Sequence, residues 1–160
     1  MTAAARRHVV IVGAGLAGGR AALALRRQGF DGQVTLVGQE GWPPYDRPPL
    51  SKGYLRREEH LDAVVTTPSE EYAAQRIDLR PDTHVAQIDA RLKIVELDGG
   101  AGAPRERLRY DRLLVTTGSR NRRSPASGAD LDGVIQLRTI EQSDRINSVA
   151  CRRDAKSPKF

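Results

Sequence analysis

The junction that most restricts what this chain can fold into lies near its start, where Val9-Val10-Ile11-Val12 runs straight into glycines at positions 13, 15 and 18. An unbroken β-branched run with no polar alternation suits a strand covered on both faces. The glycines stand at G-x-G-x-x-G spacing and open a segment, 16–28, in which Leu16, Leu23 and Leu25 are apolar while Arg26 and Arg27 read as solvated. A second β-rich run, 34–37, follows on schedule and completes a strand–helix–strand unit. In such a unit Gly13 permits the tight turn, Gly15 lets a pyrophosphate approach the backbone, and Gly18 lets helix and strand pack closely. The phosphates then rest on the helix N-terminus, where free N–H groups and the helix dipole favour negative charge. A glycine-rich turn without ligand is the competing reading, and it leaves the helix and the second strand in phase by accident.

A dinucleotide held this way also needs a polar group near the end of the second strand for its ribose hydroxyls. Glu40 lies about 20 residues past the helix start, where that group is expected, and Gln39 precedes it. Either Glu40 reaches the ribose or Gln39 makes a neutral hydrogen bond in its place; as a third possibility, Glu40 is only a solvated loop charge.

The next segment, Pro43-Pro44-Tyr45-Asp46-Arg47-Pro48-Pro49-Leu50-Ser51-Lys52, is stiffened by four prolines, each with its φ restrained. Arg47 and Lys52 are therefore presented with little conformational freedom. The planar fork of Arg47 suits phosphate or ribose oxygens, and the compact cation of Lys52 suits the electron-rich end of a reduced flavin ring. Ser51 is expected to cap a short helix beginning there. The alternative is a surface loop, or a ligand for a proline-recognition module.

With these pieces in order, the sequence resembles the FAD-binding domain of the ferredoxin reductase family, which includes putidaredoxin, rhodocoxin and rubredoxin reductases and the reductase components of aromatic-ring dioxygenases. The resemblance is carried by VVIVGAGLAG, VTLVGQE, PPYDRPPLSKGYL, YAAQRIDLRPDTHVAQID, YDRLLVTTGSRNRR and LRTIEQSDRI, from His8 to about Ile146. It implies an α/β fold: a Rossmann-like FAD/NAD(P)-binding domain with a parallel sheet and a small antiparallel β insertion, over residues 1–146. It also implies FAD contacts at Gly13, Gly15, Ala17, Gly18, Gln39, Arg47, Lys52, Val85, Thr117, Gly118 and Arg138, with Lys52 tuning the flavin. At Gln39 the family usually has an acidic residue. The family's second G-x-G-x-x-G domain for NAD(P)H, its later Gly-Asp segment and its C-terminal domain have no counterpart in these 160 residues, and 147–160 reads as an unpatterned tail. A truncated form is expected.

The remaining segments fit that frame. Thr67-Pro68-Ser69-Glu70 reads as a helix start with Thr67 at the N-cap, Pro68 at the first helical position and Glu70 closing a capping box; Tyr72, Ala73 and Ile77 would form its apolar face. Residues 83–88, then Leu92, Ile94, Val95 and Leu97, read as strands meeting at the Gly99-Gly100-Ala101-Gly102 turn. Leu113 to Val115 reads as another buried strand, followed by Thr116-Thr117-Gly118-Ser119. A small-residue turn at the C-terminal end of a parallel strand is where α/β folds bind ligand, though a plain strand-to-loop turn explains it equally well. Thr139 and Gln142 can cap a final helix.

Composition excludes several functions. The only cysteine is Cys151, so dithiol chemistry on this chain is excluded and no disulfide framework exists; a reducing cytoplasm suits it. His8, His60 and His84 are scattered without ligand spacing, and no metal site is expected. The net charge of +6 is spread along the chain, and two Phe, four Tyr and one Trp are too few for a stacking platform, so nucleic acid is not an expected partner. Spread arginines can instead steer an acidic iron–sulfur protein. Arg6 and Arg7 before an apolar run superficially suggest a signal peptide, but that run holds the phosphate turn and is too short to span a membrane.

The expected function is a flavoprotein oxidoreductase in which NAD(P)H reduces FAD and a small iron–sulfur protein such as a ferredoxin accepts the electrons. A non-catalytic nucleotide-binding remnant is the alternative. A single-domain NAD-binding dehydrogenase is disfavoured by the proline-braced loop and the lack of a Tyr-x-x-x-Lys pair.

Overall fold

A computed structural model describes residues 7–98, 105–122 and 124–154, with side chains up to residue 150. The chain divides into two compact units, Met1–Tyr45 with Val65–Gly118, and Asp46–Val64 with Ser119–Phe160.

The first unit is built on a parallel sheet of order β3-β2-β1-β7, made of β1 (His8–Val12), β2 (Gln33–Val37), β3 (Ile77–Arg80) and β7 (Arg112–Val115). In register, Val12 stands beside Val37 on one side and Val115 on the other, so these three strands end level. The anticipated helix α1 spans Leu16–Arg27. Alternate strand residues serve the two faces of the sheet. Val9, Ile11, Val34, Leu36 and Ile77 pack with Ala22 of α1 and with Tyr72 of α3 (Ser69–Ala74). On the other face Val10, Val12 and Val37 pack with Val95, Leu97 and Leu108 of an antiparallel sheet, β4-β5-β6. That insertion comprises β4 (Val85–Asp89), β5 (Ile94–Leu97) and β6 (Glu106–Arg109). The expected Rossmann-like layering and antiparallel insertion are both present; the Gly99–Gly102 turn lies outside the described residues.

Several local expectations need correction. Helix α3 starts at Ser69 with Pro68 as its N-cap, in extended geometry (ψ 152°) and without a side-chain cap, so Thr67 and Glu70 form no capping box. Ile77 does not belong to that helix. Arg76 turns the chain at φ 56°, and Ile77 opens β3 against Val34, where an edge position beside β2 buries it better than another helical turn. Strand β7 forms as expected but is not buried: Leu114 is 40% and Val115 55% exposed, because β7 pairs only with β1 among the described residues. Arg26 is only partly solvated. Its guanidinium donates to the carbonyls of Phe30, Gly32, Gln75 and Arg76 at 2.7–2.9 Å, tying the end of α1 to the α3–β3 turn.

The second unit contains a 3-10 helix (Pro48–Ser51), α2 (Leu61–Val64) and α4 (Ile140–Asp154). Ser51 ends the 3-10 helix rather than opening one. Proline at its first positions needs no N–H partner, and the Ser51 hydroxyl donates back to the Pro48 carbonyl at 3.3 Å. The expected cap of the last helix forms reciprocally: the Thr139 N–H donates to Gln142 Oε1 (3.2 Å) and the Gln142 N–H to Thr139 Oγ1 (3.4 Å). Buried Ser143 donates to the Leu50 carbonyl at 2.9 Å, and the Tyr54 hydroxyl to Asp144 at 3.0 Å, pinning α4 to the 3-10 region. Helix α4 runs to Asp154, so the first part of 147–160 is helical rather than the unpatterned tail expected there.

Candidate functional site

Because β1, β2 and β7 end level, the loops that follow them leave from one edge of the parallel sheet. Those loops are Gly13-Ala14-Gly15, Gly38-Gln39-Glu40 and Thr116-Thr117-Gly118. The C-terminal edge of a parallel sheet is the usual ligand-binding edge of open α/β folds.

The three glycines of the turn have three separate physical reasons. Gly13 sits at φ 111°, a conformation L-residues avoid, and a Cβ there would lie 2.4 Å from the Thr116 carbonyl oxygen. A Cβ on Gly18 would lie 2.0 Å from the Gly13 carbonyl oxygen and 2.8 Å from Thr116 Oγ1, so it is the absence of a side chain that lets α1 seat on the turn. At Gly15 nothing lies within 4 Å of a built Cβ. This residue is the N-cap of α1, it offers no side-chain cap, and the first turn of the helix carries no acidic residue. The first N–H groups of a twelve-residue helix therefore have no side-chain cap, and the positive end of its dipole lies beside the open space at Gly15. That is the arrangement a pyrophosphate requires.

Thr116 is a site residue that motif reading passed over. Its backbone N–H donates to the Val12 carbonyl at 2.7 Å, and its hydroxyl lies 2.8 Å from the Gly13 carbonyl and 3.2 Å from that of Val12. The turn is thus clamped from the neighbouring strand, and the Gly13 N–H is held by the Val37 carbonyl at 2.8 Å. Only the closeness of β1 and β7 in space reveals this role; the one signal in the sequence is a hydroxyl directly after a β-rich run.

Around this edge, Ala17 is exposed in the first turn of α1, and Thr117 and Gly118 are exposed, the latter at φ 71°. Gln39 is exposed, whereas Glu40 is half-buried and its carboxylate accepts a hydrogen bond from the Tyr45 hydroxyl. The Glu40 carbonyl accepts from the Asp82 N–H at 3.0 Å, so this loop too is fixed. Val85 stands in β4 opposite Leu97, in the antiparallel sheet rather than on the loops of the parallel edge.

The later part of the proline-braced segment, from Asp46, lies in the second unit. Arg47 precedes the 3-10 helix and its Nη1 donates to the Arg138 carbonyl at 2.7 Å, which brings together two residues 91 positions apart. Leu50 is buried, Lys52 closes the 3-10 helix with its N–H on the Pro49 carbonyl (2.8 Å), and the Lys52 side chain is exposed. Tyr54, just beyond, has its phenol pKa raised by burial and by its hydrogen bond to Asp144.

Residues 7–155 match the family model described as pyridine nucleotide-disulphide oxidoreductase. The chain belongs to that family. Among curated members, rhodocoxin reductase of Rhodococcus erythropolis is 40% identical over 140 residues, covering 88% of this chain and 32% of its own length. A probable ferredoxin reductase of Castellaniella defragrans is 40% identical over 144 residues, covering 90% of this chain and 34% of its own. Among solved family structures, a covalent putidaredoxin reductase–putidaredoxin complex superposes with a TM-score of 0.80 at 36% identity over 91% of this chain and 34% of that one. The chain therefore spans about one third of the length of the relatives it matches. The family's name refers to disulphide chemistry, for which this chain, with Cys151 alone, has no cysteine pair.

Proposed function

We propose that this chain is the FAD-holding portion of a flavoprotein oxidoreductase of ferredoxin reductase type. The observation that carries the reading is the open, uncapped N-terminus of α1 above Gly15, set between two other loops at the C-terminal edge of a parallel sheet. Gly13, Gly15, Ala17 and Gly18 would hold the pyrophosphate, with Glu40 or Gln39 binding ribose and Thr117 and Gly118 completing the edge. The roles of Arg47, Lys52, Val85 and Arg138 rest on the family resemblance, in which the Lys52 cation favours the reduced flavin electrostatically. When bound, FAD would supply the redox chemistry, two-electron acceptance from NAD(P)H and one-electron release. The protein's share is orientation, and the two clamps, Thr116 on the turn and Tyr45 on Glu40, supply it. The acceptor is read as a small iron–sulfur protein and the compartment as the cytoplasm, supported by the reductase names of the relatives and by the single cysteine.

The experiment is a titration of the purified chain with FAD, followed by flavin fluorescence and visible absorption, and then by addition of NADH. Uptake of FAD by wild-type protein, weakened in Gly15→Ala, is the expected result; a chain that folds and leaves FAD free would overturn the reading. A second reading is a nucleotide-binding chain without turnover. It predicts a yellow protein that NADH does not bleach.

A further inference from the structure

A recess of about 360 Å3 opens on the flank of α1 in the first unit, lined by Arg20, Leu23, Arg27, Thr66, Thr67 and Tyr72. No residue of the glycine turn lines it. The volume falls in the range that holds small molecules.

Arg20 and Arg27 are seven residues apart, which returns them to one face of the helix with a rise of roughly 10 Å between them. Both are exposed, and neither makes a hydrogen bond or ion pair with a described residue. Acceptors are not scarce nearby, since Arg26 between them engages four carbonyls. Also in the lining, the Thr66 hydroxyl is oriented by donating to the Pro44 carbonyl at 2.8 Å. Tyr72, which also lines the recess, is fully buried, and its hydroxyl has no hydrogen-bond partner among the described residues. The lining contains no carboxylate and no amide. Its charged groups are donors only, so a complementary ligand is rich in acceptors and negatively charged at two separated points.

We infer that this recess binds a small polyanion bearing phosphate groups, with the guanidinium forks of Arg20 and Arg27 taking two anionic centres and the Thr67 hydroxyl adding a hydrogen bond. Phosphate fits better than carboxylate because each group offers three acceptor oxygens to guanidinium and hydroxyl donors together. This site is separate from the glycine turn and does not depend on the flavin reading.

The test is a titration of the 15N-labelled full chain with tripolyphosphate and, at matched ionic strength, with orthophosphate, followed by amide shifts. Saturable shifts at Leu23, Thr66 and Thr67 are expected, with tripolyphosphate binding on the order of tenfold tighter than orthophosphate. Arg20→Gln and Arg27→Gln should each weaken tripolyphosphate by about tenfold, and the pair together should abolish the shifts while the melting curve stays unchanged. Shifts confined to residues 13–18 would overturn the inference, because they place the anion at the glycine turn. An absence of saturable shifts, equal affinity for the two phosphates, or wild-type affinity in the double variant would overturn it too.

Discussion

Adding one methyl group at two glycines three positions apart should separate folding from binding. In Gly18→Ala the new Cβ would lie 2.0 Å from the Gly13 carbonyl oxygen, a backbone atom that cannot swing away, and 2.8 Å from the Thr116 hydroxyl. Overpacking of this kind costs about 1–3 kcal/mol, and contact with backbone belongs at the upper end; the better helix propensity of alanine returns at most about 1 kcal/mol. A net loss of about 2 kcal/mol lowers the melting temperature by roughly 4–8 °C in a domain of this size. In Gly15→Ala the Cβ meets nothing within 4 Å and the backbone (φ −85°, ψ −172°) suits any residue. The only folding cost is a poorer N-cap, about 0.5–1 kcal/mol. The methyl group nevertheless occupies the space through which a pyrophosphate reaches the helix N–H groups. Losing one charge-assisted hydrogen bond is worth about 1.5–3 kcal/mol, or roughly 10- to 150-fold in Kd. Thermal melts by circular dichroism and FAD titrations on both variants and the wild type make the comparison. If Gly15→Ala binds FAD as the wild type does, the open face is not the pyrophosphate seat; if Gly18→Ala melts with the wild type, the close seating of α1 is wrong.

Three further outcomes are expected. Thr116→Val keeps the shape of the side chain but removes the clamp on the Gly13 carbonyl, for a stability loss of about 1 kcal/mol together with weaker FAD binding; unchanged values in both urea melts and flavin titrations would remove Thr116 from the site. Arg26→Leu strips the donors from four carbonyls and should destabilise by about 2–4 kcal/mol, less than four separate bonds because the guanidinium is partly solvated; Arg27→Leu, at a neighbour with no partner among the described residues, should stay within about 0.5 kcal/mol, and equal denaturant midpoints would contradict the contrast. Burial raises the Tyr72 phenol pKa above its ordinary 10.0. Its contribution is therefore complete below pH 10 and is lost as pH rises through the higher folded-state value. Tyr72→Phe removes both this alkaline loss and an unpartnered buried hydroxyl, so the variant should be as stable as wild type at pH 7 and more resistant above pH 10; a variant that loses stability at pH 7 would show that the hydroxyl is bonded.

Much of the site was legible in the sequence because its determinants are local. The order of β1, the glycine turn, α1 and β2 follows from β-branched runs, a 3.6-residue period and the spacing of three glycines, all within the single continuous stretch His8 to Val37. The cap of α4 was legible for the same reason: Thr139 and Gln142 are one helical turn apart.

What the sequence did not disclose depends on residues far apart in the chain. Arg26 looks like a solvated helix residue until β3 brings the carbonyls of Gln75 and Arg76 beneath it. Thr116 becomes a clamp only because β7 lies beside β1, more than a hundred residues after Val12. Likewise Leu114 and Val115 have the composition of a covered strand, yet their exposure is set by what lies next to β7 and not by their own hydrophobicity. By itself, then, the sequence determined the type of unit and the location of the phosphate turn, since short-range sterics and periodicity decide both. The tertiary structure alone decided which hydroxyl braces the turn, which arginine is consumed internally and which two stay available on the flank of α1, because each outcome depends on partners that only strand pairing brings within hydrogen-bonding distance.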